Sequence, residues 1–185
     1  MEITKKIFWS EAMKGGSIIG LVTAAFQLTR TVIEQAAWLN IVSLVVFVFL
    51  IYGFTRKIAG MADAIEGFTY GRCMGFVFAM MLFTGIIMGF ATFLINNFII
   101  KDTVIEMVDL QMNAMRGLLT TEQFNYTYDT TYSAVFNPLV LIIIGIIGYC
   151  IQGGIAGLFT SALAQRKADP FAPKDITENK TKENE

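Results

Sequence analysis

The residues best equipped for chemistry are few and poorly grouped. Cys73 and Cys150 are the two cysteines, and histidine is absent, so the usual zinc, haem and iron–sulfur ligand sets cannot be assembled within one chain. The two thiols sit at different heights in the apolar sequence and are expected to be free rather than bridged. Asp102, Glu106, Asp109, Glu122 and Asp129 fall in one polar stretch, but a catalytic carboxylate pair is defined by a distance that sequence does not supply. No nucleophile and base pair, phosphate loop or metal motif emerges. The expectation is a protein that is not an enzyme and carries no cofactor. What remains is a set of cations at the edges of apolar windows, Arg56, Lys57, Arg72, Arg166 and Lys167, and one amide deep inside a window, Gln152. Edge cations suit lipid headgroups or the anionic groups of a partner. An intramembrane amide suits hydrogen bonding between helices, and lining a solute path is the alternative.

The elements that must carry these groups follow from composition. Of the 185 residues, 55% are apolar and 16% are charged, with a mean hydropathy of +0.58, whereas a soluble domain carries roughly 25% charge. The excess must face lipid. Charge-free windows place spans at about 12–30, 35–55, 73–100 and 137–164, since crossing the hydrocarbon layer takes roughly 20 apolar residues. The first window is short, and it spans only if Lys14 and Arg30 extend their stems along the helix and leave their charges in the headgroups. Glu2 and Glu11 beside Lys5 and Lys6, with no clear cleavage site after the apolar run, predict that it is retained rather than removed as a signal peptide. The fold class expected is an all-α membrane protein: a four-helix transmembrane domain over 1–165 and a disordered cytoplasmic tail over 166–185.

Basic residues orient the bundle. Placing both ends and the second loop on one side collects Lys5, Lys6, Lys14, Arg56, Lys57, Arg72, Arg166, Lys167, Lys174, Lys180 and Lys182, eleven of the 14 cations. Arg30, Lys101 and Arg116 remain for the other side. Short basic segments stay cytoplasmic, so both termini are predicted inside and the segment 101–136 outside. A net charge of -1 argues against a nucleic-acid partner.

That outer segment reads as two amphipathic helices. Thr103-Val-Ile-Glu106 and Thr120-Thr-Glu-Gln123 have the capping-box form. Val104, Val108, Met112, Met115 and Leu119 then make one stripe, and Phe124, Tyr128 and Tyr132 another. The pair is expected to lie on the bilayer or the bundle, with a ligand-binding or partner-binding lid as the alternative. Asn137-Pro138 should cap and open the last span.

Packing in lipid relies on small residues that let backbones approach. Gly16 with Gly20, Gly71 with Gly75, Gly85 with Gly89, and Gly153 with Gly157 supply that spacing on three spans, within one chain or in a homo-oligomer. The second span has only Gly53, at its end, and is expected to be the most lipid-exposed.

Gly67-Phe-Thr-Tyr-Gly-Arg72 ahead of the third span, and Ala168-Asp-Pro-Phe171 after the fourth, resemble the small four-span membrane proteins of the Bacteroidetes grouped as domain of unknown function 4199. The resemblance covers nearly the whole chain and implies an inner-membrane protein with no catalytic residues to carry over. It also implies a neighbourhood with family 2 glycosyltransferases, and makes Asp102-Thr-Val104 and Asp129-Thr-Thr131 fit that phylum's O-glycosylation pattern. Three functions are therefore expected to compete. The first is a non-catalytic accessory or scaffold subunit that meets membrane lipids and docks a membrane partner, such as a glycosyltransferase acting on a polyprenyl phosphate. The second is a small transporter or flippase with Gln152, Thr84 and Asn96 along its route. The third is an envelope sensor reading a signal through the outer helices.

Overall fold

A computed structural model describes residues 4–33, 38–62 and 67–169. Within them the chain forms α1 (Lys5–Val32), α2 (Trp38–Met61), α3 (Tyr70–Phe98), α4 (Lys101–Met115), α5 (Thr121–Val135) and α6 (Pro138–Ala164). Of the tail expected to be disordered over 166–185, residues 170–185 lie outside the described residues, and Arg166 is held by two backbone hydrogen bonds to Phe68. α2, α3 and α6, with 24, 29 and 27 residues, are long and apolar enough to cross a membrane. α1 is as long, at 28 residues, but Glu11, Lys14, Gln27 and Arg30 dilute its apolar stretch. The helices overrun the charge-free windows: α1 starts at Lys5, α2 continues to Met61 and α3 starts at Tyr70. Such windows measure only the hydrocarbon-embedded length, whereas helical hydrogen bonding continues through polar turns at either end.

The four long helices are ordered α1–α3–α6–α2 around the bundle, and the most extensive contact is between α3 and α6. Phe47 and Ile51 of α2 and Phe76, Met80 and Met81 of α3 fill the centre, with Ile19 of α1 also fully buried. Glycine sets the closeness. A Cβ built on Gly85 would lie 2.5 Å from Ile146 Cα, and one on Gly145 would lie 2.6 Å from Gly85 O, so the α3 and α6 backbones touch. Gly89 meets Ile142 in the same way, and Gly153 and Gly157 receive Met81 and Met74. On the other side of α3, Gly16 meets Met80 and Phe83, and Gly20 meets Ile87. There Thr84 Oγ1 donates across the helix pair to Gly16 O at 3.0 Å.

Two packing expectations need correction. A Cβ on Gly71 or Gly75 would have nothing within 4 Å, because this pair faces outward on the first turns of α3, where no helix lies against it. The most exposed long helix is α6, not α2: in α6 only Gly153, Gly157, Thr160, Ser161 and Ala164 are buried, while α2 buries Phe47, Ile51 and Ile58. A helix that docks through glycines puts its small residues inside and its large ones, such as Ile147, Ile151, Ile155 and Phe159, outside.

The segment between α3 and α6 is the expected pair of helices. Val104, Val108 and Met112 are the buried face of α4, and Phe124, Tyr128 and Tyr132 stack along α5 at 6.3 Å between successive ring centroids. Tyr128 Oη donates to Asp109 at 2.7 Å, joining the two. The Thr120–Gln123 capping box forms in both directions, and Asn137 Oδ1 accepts from Leu139 N and Val140 N. Thr103 is not a cap. α4 begins at Lys101 with Ile100 before it and no side-chain cap, since the chain leaves α3 and re-enters a helix within two residues, placing Thr103 already inside the first turn.

Candidate functional site

The start of α1, the end of α2, the start of α3 and the residues after α6 converge at one end of the bundle, and the charged groups there are paired across elements. Glu11, on the turn of α1 before its apolar stretch, is buried at 9% exposure. It accepts from Lys57 Nζ of α2 at 2.7 Å and from Lys14 Nζ at 3.0 Å. The Lys57 ammonium, and after it Lys14, hold the Glu11 carboxyl below its ordinary value. A carboxylate with a lowered folded pKa stabilises the fold above the unfolded value of 4.5, and that contribution is lost as pH falls through the depressed one. Glu11→Gln is therefore expected to lower the thermal midpoint in mild detergent at neutral pH, and the gap from the parent should narrow as the pH is taken below 4.5. A gap independent of pH would show that the ion pairs contribute nothing.

Beside this triad the segment before α3 is clasped to the residues after α6. Phe68 N donates to Arg166 O at 2.8 Å and Arg166 N returns to Phe68 O at 3.0 Å, an isolated antiparallel bridge. Gly67 makes it reachable. Its φ of +64° lies in the left-handed region, and a Cβ there would sit 2.6 Å from both Ala168 N and Arg166 O. The Arg166 guanidinium then crosses to the end of α2, donating to Ala62 O at 3.2 Å with Gly60 O at 3.5 Å. The last carbonyls of a helix lack intrahelical donors and carry partial negative charge, so Arg166 serves as the missing C-terminal cap of α2.

Arg56, Ala59, Gly60 and Arg166 line a cavity of about 210 Å³. Arg56 is exposed and makes no ion pair among the described residues, whereas the Arg166 guanidinium is fixed on the end of α2. Lys57 is committed to Glu11, while Arg72 and Lys167 are exposed on the same end. Gln152 lies elsewhere, on the outer surface of α6. It does not join helices within the chain, because the glycine row that docks α6 faces α3 and turns position 152 away. Nor do Gln152, Thr84 and Asn96 converge on a route: Thr84 is buried against α1, and Asn96 Nδ2 donates to Val135 O of α5. Two contributors escaped the sequence reading. Glu11 was signalled by its i, i+3 spacing to Lys14, and Gly145 by falling on the same every-fourth-residue row as Gly153 and Gly157.

A second, open cavity of about 420 Å³ at the opposite end is lined by Tyr126, Asp129, Thr130, Ser133 and Asn137 among others.

Long apolar helices packed through backbone notches define a polytopic helical membrane protein. The family model described as protein of unknown function (DUF4199) matches residues 14–166, and the chain belongs to that family. The matched range ends on Arg166, the residue clasped to Phe68. No curated protein and no solved structure matches the chain.

Proposed function

We propose that the chain crosses the inner membrane four times, with α1 as its first span, and acts as a non-catalytic accessory subunit. Its basic end, on the cytoplasmic side, docks a membrane-associated protein at the level of the lipid phosphates. Support for the fourth span is the position of α1 alongside α3, with Gly16, Gly20 and Gln27 each against an α3 residue. Lys14 and Arg30 then fall at the two headgroup levels. What supports the docking role is the cavity of about 210 Å³ lined by the exposed Arg56 and by Arg166, whose guanidinium is held on Ala62 O. Among partners, a glycosyltransferase acting on a polyprenyl phosphate fits that chemistry, and the family resemblance is what suggests it.

Arg56→Glu in the full chain is expected to weaken capture of the partner, and of phosphate lipids seen as adducts by native mass spectrometry, roughly tenfold or more, since each basic residue at a headgroup surface contributes about 1 kcal/mol. Affinity purification after mild solubilisation provides the check. A chain that purifies alone, with lipid-linked sugar synthesis unchanged by its deletion, would remove the proposal. The larger cavity at the α4–α5 end favours a second reading, an envelope sensor. In that case replacing residues 103 to 134 by a neutral linker abolishes signalling while the four long helices still assemble.

A further inference from the structure

We propose that the α6 face carrying Gly148, Gln152, Ile155 and Phe159 is the contact with a second copy of this chain, the two Gln152 carboxamides hydrogen-bonding to each other across a two-fold axis normal to the membrane. The inference takes α6 as a membrane span and does not depend on the docking role. Gln152 follows Pro138, the first residue of α6, by fourteen residues and precedes Ala164, the last, by twelve. At 1.5 Å per residue it lies about 21 Å and 18 Å from the two ends. Its side chain cannot reach either headgroup layer. It is exposed and has no hydrogen-bond partner among the described residues, and hydrocarbon offers none. A carboxamide left so costs several kcal/mol.

Gly148, one turn away, is the second observation. A Cβ on Gly145, Gly153, Gly154 or Gly157 would meet α3, whereas one on Gly148 would have nothing within 4 Å. The notch is open and lies on the amide's own face. Gly148 with Ile155, and Gln152 with Phe159, recur at seven-residue spacing, the repeat that keeps a seam facing a partner helix. The occupant follows from chemistry and height. A carboxamide is both donor and acceptor, so two of them satisfy each other with a pair of bonds. Copies inserted in the same sense carry Gln152 at the same depth, and a two-fold axis brings the same patch to itself.

The full chain should therefore be dimeric by mass in lipid nanodiscs and show energy transfer between differently labelled copies in vesicles. Gln152→Leu and Gly148→Leu should each weaken association about tenfold, with helicity unchanged, while Gln152→Asn retains the dimer. A Gln152→Cys variant in a Cys73→Ala/Cys150→Ala background should be cross-linked to a dimer by a short bis-maleimide, a readout independent of the leucine variants' folding. A monomeric parent chain in vesicles overturns the proposal. So does a dimer indifferent to both leucine substitutions, or association only with a different protein.

Discussion

Gly85→Leu is expected to abolish stable folding of the bundle. The new Cβ would lie 2.5 Å from Ile146 Cα, 2.7 Å from Ile146 N and 2.9 Å from Gly145 C. All three are backbone atoms of a helix held along much of its length, so no rotamer change relieves the clash. Overpacking against movable side chains costs about 1–3 kcal/mol. Here α6 must be displaced bodily, which sets the cost above that range. The check is the unfolding midpoint in mild detergent, with Gly75→Ala as the companion. A Cβ on Gly75 meets nothing within 4 Å, so the companion should lie between no change and a gain of about 1 kcal/mol from helix propensity. Equal behaviour of the two variants would mean that α3 and α6 do not touch through their backbones.

Gly67→Ala is expected to open the clasp between Phe68 and Arg166. An L side chain in the left-handed region costs about 1–2 kcal/mol, and this one would also press on Ala168 N and Arg166 O, each 2.6 Å from its Cβ. Both backbone bonds of the bridge and the Arg166 cap on α2 depend on that turn. A penalty of about 2 kcal/mol or more corresponds to at least a thirtyfold rise in the open fraction. Tryptic cleavage after Arg166 and Lys167 in detergent reads it directly. Gly71→Ala, four residues on and without a neighbour, should leave the cleavage rate alone. If Gly67→Ala cleaves no faster, the turn does not hold the segment. If cleavage rises but lipid adducts at Arg56 persist, the clasp is real and the docking role does not need it.

What the sequence made legible was local. The Thr120–Gln123 box and the Asn137-Pro138 start depend on residues two or three apart, and both formed as their spacing requires. Thr103–Glu106 has the same pattern and failed, because the start of α4 is set by where α3 lets go of the chain. Glycine spacing identified a small face but not its direction: Gly16, Gly20, Gly85, Gly89, Gly153 and Gly157 meet a neighbour while Gly71 and Gly75 do not. Direction depends on helix rotation, fixed by the whole bundle. The same rotation turned Gln152 outward and made α6 the exposed helix. At the basic end the cations were visible as a group, but their division of labour was not. Lys57 is committed to Glu11, a partner 46 residues away in sequence, and Arg166 to carbonyls that no side-chain pattern could announce.

The arginine that finishes α2 is synthesised only after α6. Ala62 and its donor stand 104 residues apart, so throughout translation of α3, α4, α5 and α6 the tip of α2 keeps bare carbonyl groups. A ribosome that stops even at Gln165 releases a chain with all six described helices made and that tip still unsealed. Synthesis of the residue just past α6 is thus coupled to closure of a helix made long before, and a product that ends within α6 carries an uncapped α2.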